Sequence, residues 1–302
     1  MDNSDLISVI IPTYGRAQYL GRAIDSVMQQ TYQKWELIVV DDNEPDSKDR
    51  AMTELKMMKY TNDKRVKYIK HSKNLNGSAA RNTGIQASLG NYIAFLDDDD
   101  EYDSVRLEKC LSRIKCQDNI LFGAVYTGCR FFHNEKLYKT INKAPDGNFL
   151  VEALATTFSC YSGSNIFIKS NIIKELKGFD ENFSRHQDYE FFVRYFEKYS
   201  LIGINEALLS KHENGDNLPN AEKMYKIKIQ YINKYINIIN SLNKLNYNYV
   251  FYSHYIYLAL LSMEERKYKL FFLFTKKALN YRMLGSRDIL RILKIGLLRG
   301  LK

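Results

Sequence analysis

The sequence has no CxxC pair among its four cysteines (Cys110, Cys116, Cys129, Cys160) and only five histidines, which excludes a Cys/His zinc module and a disulfide framework. That cysteine usage suits a reducing compartment. No apolar run reaches the roughly 18 residues needed to span a bilayer. The longest, residues 250–263, is interrupted by Ser253 and His254. Residues 1–6 are polar and the apolar run 7–11 is short, unlike a secretory signal. Neither G-x-x-x-x-G-K-S/T nor G-x-G-x-x-G occurs, so a P-loop or dinucleotide site loses its main support. These absences leave a soluble or peripheral protein, expected in the cytoplasm or on the inner face of the cell membrane.

What is present suffices for a core. The chain has 302 residues, 45% hydrophobic and 26% charged, which suits one large domain or two modest ones. The formal charge is +9, yet it is unevenly placed: residues 220–302 hold 16 Lys and Arg against 4 Asp and Glu. The preceding part is slightly acidic, with 28 basic and 31 acidic residues. Two regions with different tasks follow, and a bound cation belongs to the acidic one.

The first hundred residues alternate between two periods. Apolar runs at 7–11, 37–40 and 92–96, with a short strand candidate at 66–69, read as strands buried on both faces. Helical spacing separates them, carried first by Leu20, Ala23, Ile24, Val27 and Met28, then by residues 47–60 and 78–89. The pattern predicts a doubly wound α/β sheet. Beyond it, Ser104 is placed to cap a helix bearing Leu107, Cys110, Leu111 and Ile114. Strands are expected at 121–126 and 164–168, a short helix at 170–176 ending at Gly178, and an amphipathic helix at 188–199. The polar stretch 211–220 is the linker candidate, and only helices are expected after it.

Ligands of an open parallel sheet bind beyond the carboxyl ends of its strands. Two of those ends are acidic here: residues 37–40 run into Asp41-Asp42-Asn43, and residues 92–96 into Asp97-Asp98-Asp99-Asp100. Four adjacent carboxylates resist ionisation beside one another, and a divalent cation with a diphosphate would relieve them. Oxygen donors of this kind suit Mg²⁺ or Mn²⁺. The plain alternative is a solvated acidic turn.

Four segments together resemble the family 2 glycosyltransferases: Ser8-Val-Ile-Ile-Pro-Thr-Tyr-Gly-Arg16, Glu36-Leu-Ile-Val-Val-Asp-Asp42, Ala80-Arg-Asn82 with Gly90-Asn-Tyr-Ile-Ala-Phe-Leu-Asp97, and Gln187-Asp188. The resemblance covers residues 6–215. It implies a GT-A fold with a mixed sheet over residues 1–215 and an inverting metal-dependent transfer; residues 216–302 carry no motif of the family and read from their charge and pattern as a basic helical region. On the matching positions it implies that Pro12, Thr13, Tyr14 and Arg16 surround the donor nucleotide. Asp42 would accept the imide N–H of uracil or thymine, with Asp41 a nucleotide ligand or a cap. Arg81 would meet the diphosphate or a cluster carboxylate, or serve as a structural ion pair. Asp97 and Asp99 form the DxD element. Asp99 would ligate the metal and Asp97 would reach ribose, metal or its water, while Asp98 and Asp100 offer a second, overlapping register.

Asp188 is then the base that takes the acceptor proton, unless it merely caps its helix. Gln187 replaces the family's Glu there, which is expected to lower the Asp188 pKa. His186 and Gln187 are acceptor contacts, and His212 falls where relatives place a metal or phosphate ligand. The expected partners are a nucleotide-sugar donor, UDP-linked by preference, and a glycan or lipid-linked glycan of bacterial surface polysaccharide. Loop residues 131–161 are where acceptor and sugar specificity is expected. No nucleic acid is expected. Residues 286–302 draw a basic amphipathic helix, with Arg287, Arg291, Lys294, Arg299 and Lys302 on one arc, for a membrane surface, the first domain or a second copy. Two other classes stay open at this point: a metal-dependent nucleotidyltransferase and a non-catalytic membrane or nucleic-acid binding module.

Overall fold

A computed structural model describes residues 5–117, 119–183, 185–213 and 219–300, with side chains up to 295 in the last segment. The chain forms two compact units: Met1–Asn148 with Ser159–Gly215, and Phe149–Phe158 with Asp216–Lys302. A single division after residue 215 is therefore not what the contacts give. Ten residues from the middle of the chain join the C-terminal helices.

The first unit opens with β1 (Ile7–Thr13), α1 (Ala17–Met28), β2 (Trp35–Asp41), α2 (Lys48–Met57), β3 (Val66–Lys70), α3 (Gly77–Ala87) and β4 (Tyr92–Phe95). It continues with β5 (Glu101–Tyr102), α4 (Arg106–Lys115), β6 (Phe122–His133) and β7 (Lys136–Ile141). After the ten residues of the other unit come β8 (Phe167–Lys169), α6 (Ser170–Glu175), α7 (Gln187–Phe196) and β9 (Ser200–Glu213), with α5 (Leu150–Leu154) in the intervening segment. Among the described residues the nine strands make one mixed sheet in the order β3-β2-β1-β4-β8-β6-β9-β5, and β7 pairs with β6.

The apolar runs form strands because both faces are covered. Ile7, Val9, Ile10 and Ile11 of β1 and Leu37, Ile38, Val39 and Val40 of β2 are fully buried, and Leu20, Ala23, Ile24 and Val27 of α1 pack in the same core. β3, β2, β1 and β4 run parallel, so their carboxyl ends share one edge. Thr13 stands in register with Asp41, and the Leu96 N–H donates to Ile10 O at 3.0 Å, which carries Asp97 to that edge. From β4 onward the sheet turns antiparallel through β8 into β6, and then parallel again from β6 to β9.

Three expectations change. β9 occupies Ser200–Glu213, so Lys211–Glu213 are strand rather than linker; residues 214–218 lie outside the described residues. β9 escapes pattern reading because its pairing with β6 shifts register around Gly128, so no clean period survives. Ser104 does not cap α4: the helix begins after Val105 without a side-chain cap, and Asp103 Oδ1 accepts from the Val105 N–H at 3.3 Å. Residues 121–161 contain the β6–β7 hairpin, turned by Asn134 and Glu135 in left-handed conformation (φ 48° and 59°).

The second unit is built on α8 (Ala221–Ser241), α9 (Lys244–Glu264), α10 (Tyr268–Leu279) and α11 (Ser286–Gly300). Asn220 and Asn243 cap the first two, accepting from the N–H groups of Lys223 and Asn246. α5 and its flanks are held to α8 and α9 by polar bonds: Tyr231 OH to Ala153 O (2.8 Å), His254 Nε2 to Leu154 O (2.9 Å) and Lys228 Nζ to Thr156 Oγ1 (2.9 Å). Lys228 is buried, and burial pushes its ammonium down to about 7. In α11, Asp288 accepts from Tyr252 OH at 2.6 Å, while Ile289, Leu290 and Leu293 are 45%, 64% and 54% exposed. The Lys302 end of the basic arc lies outside the described residues, and the side chain of Arg299 is not among those described. No described helix is long and apolar enough to cross a membrane.

Candidate active site

The acidic strand end resolves into two faces. Asp98 and Asp100 turn inward and are buried, whereas the side chains of Asp97 and Asp99 keep 27% and 15% exposure. The four residues form a turn closed by the Asp100 N–H donating to Asp97 O at 3.1 Å, and this turn leaves only one of the two overlapping registers open outward. Asp98 Oδ2 accepts from Thr13 Oγ1 at 2.7 Å and from the Tyr14 N–H at 3.4 Å, fixing the β1 end to the β4 end. Asp100 Oδ2 accepts from Ser162 Oγ (2.8 Å) and Ser164 Oγ (2.6 Å). Burial raises both carboxyls to about 7, Asp98 against the Thr13 hydroxyl bond and Asp100 with help from the neighbouring Asp97 and Asp99 charges.

The outward pair behaves asymmetrically. Burial and the Asp97 charge raise Asp99 despite Arg16, whose Nη1 lies 2.5 Å from Asp99 Oδ2. Burial also works on Asp97, but the Arg81 guanidinium outweighs it and holds that carboxyl below its ordinary value. Burial, helped by the neighbouring charges, thus raises three of the four carboxyls and is outweighed at Asp97.

Arg81 is the hub. Its Nη2 donates to Asp97 Oδ1 at 2.6 Å and its Nη1 to Gln187 Oε1 at 3.0 Å, with the guanidinium 5.6 Å above the Phe179 ring. α7 therefore begins beside the acidic rim. Its cap position is His186, in left-handed conformation (φ 60°), so Asp188 is not the cap. The Asp188 Oδ1 accepts only the Tyr189 N–H among the bonds described, at 3.0 Å. The lowering expected from the Gln187 replacement does not set the net direction: burial raises the Asp188 carboxyl, against the opposing pull of Tyr189 N–H and Arg81.

The β2 end is organised differently from expectation. Asp41 is fully buried; it accepts from Tyr68 OH (2.5 Å), Asn43 N–H (2.9 Å) and Asn43 Nδ2 (2.8 Å), and pairs with Arg50 Nε at 3.3 Å. Asp42 accepts from four donors: His71 Nδ1 at 2.7 Å, the Leu75 N–H at 2.8 Å, and Asn74 Nδ2 and the Asn76 N–H at 2.9 Å each. Both aspartates organise the loop through these bonds. Asn43, which sequence reasoning passed over, accepts from the Gly15 N–H at 2.7 Å where Gly15 turns with φ 67°. Tyr14 stands 57% exposed beside it.

His212 is not brought to this rim as a third ligand. Its buried ring stacks on Phe132 at 4.7 Å, with Nε2 3.5 Å from Glu101 and Nδ1 3.4 Å from Glu135. Among the described residues no group of three or more His, Cys, Asp or Glu side chains is arranged to hold a metal. The donor set still fits a hard dication: two partly open carboxylates, one held above its ordinary value by burial and the Asp97 charge, leave the other coordination positions to phosphate oxygens and water. Ser162 and Ser164 were also missed, because a short Ser-Gly-Ser run carries no signal until the fold sets it under Asp100.

Residues 8–177 match the family model described as glycosyl transferase family 2. The chain belongs to that family. It is 30% identical over 194 residues to the amylovoran biosynthesis glycosyltransferase AmsB of Erwinia amylovora, a match that covers 62% of this chain and 62% of that protein. Among solved structures, the mannosyltransferase PcManGT of Pyrobaculum calidifontis, in complex with GDP-Man and Mn²⁺, superposes with a TM-score of 0.59 at 16% identity, over 98% of this chain and 80% of that one. S. aureus TarS 1-349 in complex with UDP-GlcNAc gives 0.58 at 15% identity, over 91% and 89%. The fold is GT-A, an α/β architecture with a mixed sheet followed by helices, as expected. Family membership favours glycosyl transfer over the nucleotidyltransferase and binding-module alternatives.

Proposed function

We propose that the protein transfers a sugar, with inversion, from a nucleoside-diphosphate donor to a hydroxyl of a glycan or lipid-linked glycan acceptor in surface polysaccharide synthesis. The Arg81 bridge carries this reading: one guanidinium joins Asp97 to Gln187 and so sets Asp188 near the DxD carboxylates. In the transfer, Asp188 accepts the proton of the acceptor hydroxyl as that oxygen bonds to the anomeric carbon. The bond from that carbon to the diphosphate oxygen breaks on the opposite face, and its electron pair leaves with the diphosphate. Asp97 and Asp99 would hold Mg²⁺ or Mn²⁺, which when bound offsets charge on the departing diphosphate. Arg16, half-exposed at the same rim, is a side-chain cation available to those phosphates. Pro12, Thr13, Tyr14 and Arg81 line the donor side, Asp98 supports it through Thr13, and His186 and Gln187 border the acceptor side.

The name of AmsB supports the polysaccharide role. A UDP-sugar is the preferred donor, in keeping with the TarS complex, and a GDP-sugar is the competitor that the PcManGT complex suggests. α11 contributes a membrane contact: its exposed Ile289, Leu290 and Leu293 adjoin Arg287, Arg291 and Lys294, a pattern suited to an anionic interface. Thermal-shift titration with UDP, GDP and Mn²⁺, followed by hydrolysis assays of the matching nucleotide sugars, tests the donor. Turnover that survives both chelation and Asp99→Ala would overturn the metal role. Sedimentation with anionic liposomes, with and without residues 286–302, tests the membrane contact.

A further inference from the structure

The sheet carries a second feature beside the acidic rim. Register places Lys139 of β7 opposite Phe131 of β6, and Phe131 opposite Lys211 of β9, so the three side chains share one face of the sheet. The neighbouring pair Phe132 and His212 stacks on the other face. Lys139 Nζ lies 5.5 Å from the Phe131 ring centre. Tyr138 and Tyr161 flank the same ring, at 6.3 and 6.0 Å. Tyr138 is 53% exposed and Lys139 is exposed, whereas Phe131 is buried beneath them.

This ledge is continuous with the site. Tyr161 holds a left-handed backbone (φ 73°), rare for a bulky aromatic residue, and its hydroxyl donates to Lys143 O at 2.6 Å. The next residue, Ser162, puts its Oγ 3.3 Å from Asp97 Oδ2. Lys211 acts electrostatically on both Asp97 and Asp99. Aromatic faces suit the apolar face of a pyranose ring. A ligand without charge would need no lysines here, while an anionic one nearing Asp97, Asp99 and Asp188 would be repelled unless cations flanked its path.

We propose that Tyr138, Tyr161 and Lys139, supported from below by Phe131, form the acceptor subsite, and that the acceptor is an anionic glycan chain bearing carboxylate or phosphate. This rests on the glycosyltransferase reading above. The test is calorimetric titration of the full chain at low salt with three oligomers: oligogalacturonate, oligo(glycerol phosphate) and maltohexaose. One anionic oligomer is expected to bind about tenfold more tightly than maltohexaose, and which one does so names the charged group. Tyr138→Ala and Lys139→Gln should each weaken that binding about fivefold, leaving nucleotide-sugar hydrolysis and thermal stability as in the unaltered protein. Equal binding of the neutral oligomer, no binding of either anionic one, or unchanged affinity in both variants overturns the subsite. Hydrolysis of nucleotide sugars separates the two failures: its absence from the unaltered protein sinks the glycosyltransferase reading, whereas its presence with an indifferent ledge sinks only this proposal.

Discussion

Arg81 donates to Asp97 at 2.6 Å with one nitrogen and to Gln187 at 3.0 Å with the other, so a single side chain ties the metal-side carboxylate to the start of the helix that carries Asp188. Arg81→Lys keeps the charge and loses the fork. It should lower transfer about 10- to 100-fold and raise the Mn²⁺ concentration for half-maximal activity, since one side chain would no longer hold both Asp97 and Gln187 in place. Rates measured across a Mn²⁺ titration decide this; a variant with unaltered metal dependence would show that the bridge is only structural.

Asp188 is held above its ordinary value by burial. Its base form is therefore lost at a higher pH than for an exposed aspartate. The acidic limb of kcat/KM should lie above the ordinary aspartate range, and Asp188→Asn should remove about 10²- to 10⁴-fold of the transfer rate while donor binding persists. A pH–rate profile on both proteins checks it. Full activity in the Asn variant would withdraw the base assignment.

Asp42 accepts four hydrogen bonds, two of them from backbone N–H groups. Asp42→Asn turns one acceptor oxygen into a donor group and should destabilise the fold by about 1–3 kcal/mol. The ratio of UDP to GDP affinity should stay as it was. Differential scanning fluorimetry and nucleotide titrations together test this, and a changed base preference would restore Asp42 as a reader of the nucleobase.

Lys228 sheds its proton near pH 7 in the folded chain and near its ordinary value, about 10.4, when unfolded. Between those values the unfolded state binds the extra proton, so this residue makes stability rise with pH; below pH 7 both states are charged and the full cost of the buried cation is felt. Lys228→Met should raise Tm most at acidic pH and narrow the gain as pH climbs. The difference in Tm between the two proteins, followed from pH 6 to 10, isolates the effect. A constant difference would contradict it.

The doubly wound half of the sheet was legible because β1, β2 and β4 are buried on both faces and leave unbroken apolar runs. Two later strands, β7 and β9, were not. β7 is solvent-exposed almost throughout, and β9 pairs across bulges, so neither keeps a period. In the site, residue types were legible but their directions were not. Asp97 to Asp100 look alike in sequence, and only the turn they form separates the two that open outward from the two held by Thr13 and the serines. The sign of the Asp188 shift failed for a related reason: burial is a property of the fold, and it outweighed the missing charge at Gln187.

The chain leaves its sheet after Asn148, lends ten residues to the helices and returns at Ser159. Two strands of covalent traffic thus run between the halves before the final crossing. Recombination at the polar stretch near residue 216 would strand Ala153, Leu154 and Phe158 without the helices that bury them. Such enzymes can exchange C-terminal modules only when the incoming one brings a matching berth for that borrowed segment, which ties the evolution of the two halves together.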